Sequence, residues 1–228
     1  MTARYSTLDE IAKILSYATK EVLESATGSE ITYSPTVQKI HDIHLKPDIG
    51  CFVQFYGDYS GLFIMNFTGE ASFELYKQAM IFMGLPEDEL AVKHNSEEVV
   101  NFIGELVNQI TGKVRQMIEK KYGLTSRSNQ PKAIAISSAI KLSIATQLNR
   151  PKSRKLSFKT ADLRSFYIEM SMEETEFIQL FSQDTERNRE ELDIDSMIKE
   201  RTMETPGKPK DDSGLDIDAI MAESLGNP

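Results

Sequence analysis

Residues 97–123 read EEVVNFIGELVNQITGKVRQMIEKKYG, and this stretch decides how the chain folds. At about 100° per residue, Val99, Val100, Ile103, Leu106, Val107, Ile110, Val114, Met117 and Ile118 fall on one broad side. That spacing predicts a long helix over about residues 96–122, closed by Gly123, with this side buried against a sheet. The opposite side carries Asn101, Glu105, Asn108 and Gly112 nearly in line, with Gly104 beside them. Glu105 and Asn108 are three apart, so their side chains are neighbours. One reading is the solvated face of an amphipathic helix. Its composition favours another. Inside a helix Asn is about 0.5–0.7 kcal/mol worse than Ala, and Gly about 1 kcal/mol worse. A face built for solubility alone is better made from Glu, Lys, Gln and Arg. Small residues beside a carboxylate and an amide point to a second surface that docks closely.

Working outward, Ser6-Thr7-Leu8-Asp9 signals the start of a first helix, and Ile11, Ile14, Leu15, Ala18, Val22 and Leu23 continue it at helical spacing to about Gly28. An extended stretch over about 31–37 contains Pro35, which marks an edge or an interruption. Strands are expected over about 49–56 and 61–68, joined by a hairpin turn at Gly57-Asp58-Tyr59-Ser60. Phe52, Phe55, Tyr56, Tyr59, Phe63 and Phe67 then read as hairpin core and cross-strand packing. A second helix is expected over about 71–83, ending at Gly84 with Pro86 beyond it. Residues 133–137 read as a short strand and 138–148 as a helix. Arg150, Lys152, Arg154 and Lys155 read as a basic, solvated loop, and strands over about 155–160 and 165–172 complete the sheet. This order predicts an α+β domain with long helices packed on an antiparallel sheet.

The chain has 228 residues and a formal net charge of −9, which argues against nucleic acid or an anionic membrane as main partner. From 182 to 228 there are 13 acidic and 6 basic residues, a net of −7, which leaves −2 for the first 181. No aromatic residue follows Phe181. Such a segment cannot bury enough apolar surface to offset its ordering entropy. A folded domain over 1–181 and a flexible acidic tail over 182–228 are expected. The single cysteine, Cys51, lies in an apolar strand-like run and reads as a core residue. With no signal-peptide pattern in MTARYSTLDE and no bilayer-length apolar run, a reduced, cytoplasmic location is expected. His41 and His44 are an odd step apart and project to opposite faces of an extended chain, so they read as surface strand residues, not as a metal pair. No Gly-rich phosphate loop or Ser/His/Asp order stands out.

Gly104-Glu105-Leu106-Val107-Asn108 resembles the Glu-x-x-Asn signature of the CheX/CheC/FliY phosphatases of bacterial chemotaxis. The family pattern places a proline after a spacer of 22 residues, and Pro131 matches. It also places Asp or Ser four residues before the Glu, where this chain has Asn101, a departure. The resemblance extends over about residues 8–181 and is greatest to CheX, because the first helix lacks a second Glu-x-x-Asn. It implies a CheC/CheX-like fold and hydrolysis of the aspartyl phosphate on a CheY-like response regulator. In that chemistry Asn108 orients the attacking water, Glu105 pairs with the receiver's lysine, and Asn101, Gly104 and Gly112 contact the partner. The Mg²⁺ belongs to the receiver, and the chain needs no cofactor of its own. A homodimer is also implied. A non-catalytic receiver-binding adaptor, or a component of the flagellum or chemosensory array, remains the alternative.

The tail carries an imperfect repeat, LDIDSMI at 192–198 and LDIDAIM at 215–221. Each copy is acidic, with aliphatics spaced for one helical face, and such peptides fold on binding into grooves. Residues 216–221 are similar to the N-terminal receiver-binding segment of FliM and FliY. The continuation AESLG at 222–226 is similar to the C-terminal receiver-binding peptide of CheZ. Ile217, Asp218 and Leu225 are the docking residues this implies. A frayed amphipathic helix with no partner is the other reading.

Overall fold

The first helix, α1 (Thr7–Thr27), starts where its cap requires. The Ser6 hydroxyl accepts from the Asp9 amide, the Asp9 carboxylate accepts from the Ser6 amide, and Gly28 ends the helix in the left-handed region. Two short strands, β1 (Thr32–Tyr33) and β2 (Gln38–Ile40), follow, and then β3 (His44–Leu45). The hairpin is β4 (Ile49–Gly57) and β5 (Gly61–Phe67). After it come α2 (Gly69–Phe82) and α3 (Glu97–Tyr122), then β6 (Ser126–Ser128), β7 (Lys132–Ala135), β8 (Leu142–Ser143), β9 (Lys152–Lys159) and β10 (Ser165–Met172). This computed structural model describes residues 6–46, 48–136, 140, 142–144 and 147–178. The tail from Ser182 onward, with both repeats and Ile217, Asp218 and Leu225, lies outside the described residues.

The strands form an antiparallel sheet in the order β1-β9-β10-β5-β4-β6, with β2 also on β9 and β7 also on β4. The expected edge and the expected interruption are both present. β1 and β2 pair with successive parts of β9, and the break between them contains Pro35. The three helices cover one face. There Phe67, Phe166 and Phe158 stack across β5, β10 and β9, with centroids 5.1 and 5.0 Å apart. Ile11, Leu15, Leu75, Ile103 and Val107 pack onto this face from the helices. Cys51 is fully buried, and desolvation pushes its thiol up to about 12, as a core residue requires.

The other face has a smaller cluster of Ile43, Leu45, Leu62, Ile64 and Ile136, under the two-stranded ribbon of β3 and β8. This is why every residue of β5 is buried. Buried polar groups hold the ribbon down. Asn66 accepts from the Lys46 amide at 2.7 Å and donates to the His44 carbonyl at 2.9 Å. The Glu169 carboxylate accepts from the His44 amide at 2.7 Å.

Three expectations are corrected. The helix over 138–148 is absent from the described residues of that stretch, because Leu142–Ser143 is strand paired with His44–Leu45. Leu142 and Ile144 are two apart, which suits a strand's period as well as a helix's. Lys152 and Arg154 lie in β9, not in a loop, because the strand expected from Lys155 begins three residues earlier. Arg154 is only 6% exposed and donates from Nε to Asp9 Oδ1 at 2.8 Å, tying β9 to the start of α1. Tyr56 faces solvent, and Phe52 packs with the smaller cluster, so neither belongs to the main aromatic core.

Candidate functional site

The site rests on α3, whose ends are fixed by side chain and backbone alike. The Ser96 hydroxyl accepts from the Val99 amide, and Gly123 closes the helix at φ 70° with its amide on the Glu119 carbonyl. Val99, Ile103, Leu106, Val107, Ile110, Val114 and Ile118 are buried as their spacing requires, and Val100 and Met117 are half-buried. Thr111 is also buried, with its hydroxyl donating to the Val107 carbonyl at 2.8 Å. The burial of this one face leaves Asn101, Glu105, Asn108 and Gly112 exposed along the other.

Four of the five site residues expected on α3 share one groove of about 530 Å³. Asn101, Gly104, Glu105 and Asn108 line it from α3, and Pro131 lines it from the start of β7. Pro131 is thus brought beside the helix motif from which 22 intervening residues separate it in sequence. The helix and the strand approach closely at Gly104, where an added Cβ would lie 3.5 Å from Ala133 Cβ. Gly112 is outside the groove lining, one turn along the same exposed line, and an added Cβ there would meet nothing within 4 Å.

The sequence did not single out Gln130, Lys132, Ala133 and Ile134, which form the wall opposite the helix. The only signal for that wall was a proline placed by resemblance. Gln109 was also missed; its amide donates to Glu105 Oε1 at 3.5 Å, a long contact that leaves the carboxylate available.

Glu105 stands on a ridge. On its other side is a groove of about 560 Å³ between the three helices, lined by Val22, Ala79, Phe82, Met83 and Phe102 among others. Phe82 is 63% exposed there and Met83 59%. Phe82 also lies against Gly28, where a Cβ would come within 2.8 Å of its ring. Chemically, the α3 face offers a carboxylate, two amides and a shallow, solvent-open approach. That set can orient a water and hold a cationic group of a docked partner. Among the described residues no group of three or more His, Cys, Asp or Glu side chains could hold a metal ion. Nor is any helix among them long and apolar enough to cross a membrane.

Solved structures share this architecture. The chain is 22% identical to the chemotaxis protein CheX from Desulfovibrio desulfuricans, with a TM-score of 0.58 over 72% of this chain and 99% of that one. A CheC-like superfamily protein from Shewanella sp. PV-4 is 17% identical, with a TM-score of 0.57 over 72% of this chain and 97% of that one. The CheX–CheY–BeF3–Mg²⁺ complex from Borrelia burgdorferi gives 15% identity and a TM-score of 0.53, over 72% of this chain and 98% of that one. At these identities the likeness establishes the fold, which is CheC/CheX-like as the sequence reading expected. No curated protein matches the chain. The family described as protein of unknown function (DUF3334) matches residues 2–226, and the chain belongs to that family.

Proposed function

We propose that this protein hydrolyses the aspartyl phosphate of a CheY-like response regulator. The observation that carries the reading is the shared groove. Glu105 and Asn108 stand exposed and adjacent on α3, and Gly104 and Pro131 line the same cleft. A likeness in fold to CheX, including a CheX seen in complex with CheY, supports it.

Hydrolysis of an acyl phosphate needs a water in line with the phosphorus and charge stabilisation at the phosphoryl oxygens. A receiver domain brings its own Mg²⁺ and lysine, so the phosphatase must add little. The Asn108 carboxamide accepts a hydrogen bond from the attacking water and fixes its direction. The Glu105 carboxylate pairs with the receiver's lysine and sets the register of docking. Asn101, Gly104 and Gly112 complete the contact surface, and the tail residues Ile217, Asp218 and Leu225 hold the receiver nearby. The copies of the tail repeat begin 23 residues apart. Tethering by a linker of such length would place the receiver at an effective concentration near the millimolar range.

Asn101, where the resembled pattern has Asp or Ser, favours a second reading, an adaptor that binds receivers without turning them over. Phosphoryl lifetime separates the two. A phosphatase shortens it at sub-stoichiometric amounts. An adaptor binds the beryllofluoride-activated receiver and leaves the lifetime unchanged. For the phosphatase, Glu105→Gln should raise the half-saturating receiver concentration much more than it lowers the saturated rate. An unchanged half-saturation would remove Glu105 from docking.

A further inference from the structure

On the face of the sheet away from the helices, a depression of about 450 Å³ lies over the β1–β9–β10 corner. Strand register builds it. Thr32 pairs with Lys159 and Lys159 with Ser165; Ser157 pairs with Tyr167; Lys155 pairs with Glu169. Phe158 and Phe166 point into the main core, so their neighbours along β9 and β10 point outward. Lys155, Lys159, Thr32, Ser157, Ser165 and Tyr167 therefore line it from the outward face, together with Tyr33, Phe158, Phe166 and Ser34, whose hydroxyl is held by Thr36. No carboxylate lines it, in a chain of net charge −9.

The one acidic group in register, Glu169, is occupied elsewhere. It is 3% exposed and accepts from the His44 amide at 2.7 Å. Lys155 rests on the Tyr167 ring, with Nζ 4.1 Å from its centroid, and Lys46 Nζ lies 5.2 Å from the same centroid. Among the described residues, the ion pairs within 4.0 Å leave Lys46, Lys155 and Lys159 without a carboxylate partner. Three ammonium groups thus face one carboxylate, Glu169, which is buried and turned to the His44 amide, so the depression keeps a net positive charge beside its hydroxyl donors.

We propose that this depression binds the phosphate group of a small soluble ligand. A phosphate dianion matches two ammonium charges and has acceptor oxygens on several sides for the surrounding hydroxyls, whereas a carboxylate presents two in one plane. The site lies on the opposite face of the sheet from the α3 groove and does not depend on the function proposed there.

The test uses the full chain. Inorganic phosphate is titrated against ¹⁵N-labelled protein at constant ionic strength, with acetate and chloride in parallel. Saturable shifts are expected at the amides of residues 32–34, 155–159 and 165–167 with phosphate alone. Lys155→Gln/Lys159→Gln should weaken binding about tenfold or more, and Lys155→Arg/Lys159→Arg should retain it. The wild-type spectrum elsewhere confirms that each variant is folded. Non-saturating shifts, equal shifts with acetate, or unchanged binding in the Gln variant would overturn the proposal.

Discussion

Replacing Gly112 with Ala should raise stability and weaken partner docking together. Gly112 lies in the interior of α3, exposed, and an added Cβ would meet nothing within 4 Å. No steric cost offsets the helix propensity, so the variant should gain about 0.5–1 kcal/mol. For a domain of this size that is a rise in Tm of about 1–4 °C. The same methyl group stands on the line shared by Asn101, Glu105 and Asn108. If a receiver closes against that line, overpacking costs about 1–3 kcal/mol at the contact. Half-saturation should then rise about 5- to 150-fold. Urea melts of both proteins give the first quantity, and receiver titration of phosphoryl decay gives the second. A stabilised variant with unchanged half-saturation would refute Gly112 as a docking position. A destabilised one would refute its place on an open helix face.

Gly61→Ala should destabilise by about 1–3 kcal/mol in urea melts, because its Cβ would lie 2.3 Å from the Phe55 ring and 2.5 Å from the Ser171 carbonyl oxygen; a neutral result would mean that the hairpin can shift. Burial pushes the Asp9 carboxyl up, but hydrogen bonds from Arg154 and Ser6 outweigh it and hold the group below its ordinary range. The stability this contributes is present above about pH 4 and lost as pH falls through the depressed value. Arg154→Met should therefore cost about 1–2 kcal/mol at pH 7 and flatten the acid limb of stability against pH; the pair is placed wrongly if that limb is unchanged. Truncation after Ser182 should raise the half-saturating receiver concentration and leave the saturated rate intact, and an unchanged half-saturation would exclude tail docking.

What the sequence revealed follows from where local chemistry is decisive. Ser6, Ser96, Gly28 and Gly123 each punctuate a helix by satisfying its end groups, so α1 and α3 were legible almost to the residue. The buried stripe of α3 fixed by elimination which residues face outward, and Glu105 and Asn108 were found there. β6 was missed because Ser126-Arg127-Ser128 has no apolar alternation; it gains its place by pairing with Phe55–Gly57. Arg154 read as solvated because charge in a short basic run is usually exposed; its burial rests on the distant Asp9 carboxylate and on the Ser153 carbonyl. The groove wall from Gln130 to Ile134 depends on contact between a helix and a strand, which no periodicity encodes.

The decisive measurement is the decay of a ³²P-labelled CheY-like receiver from the same cell at saturating protein, for wild type and for Asn108→Ala. Wild type should accelerate decay, and the variant should bind with similar affinity yet lose on the order of 10²-fold or more of that acceleration. Equal decay rates for the two proteins would contradict water positioning by Asn108, and with it the catalytic reading of the groove.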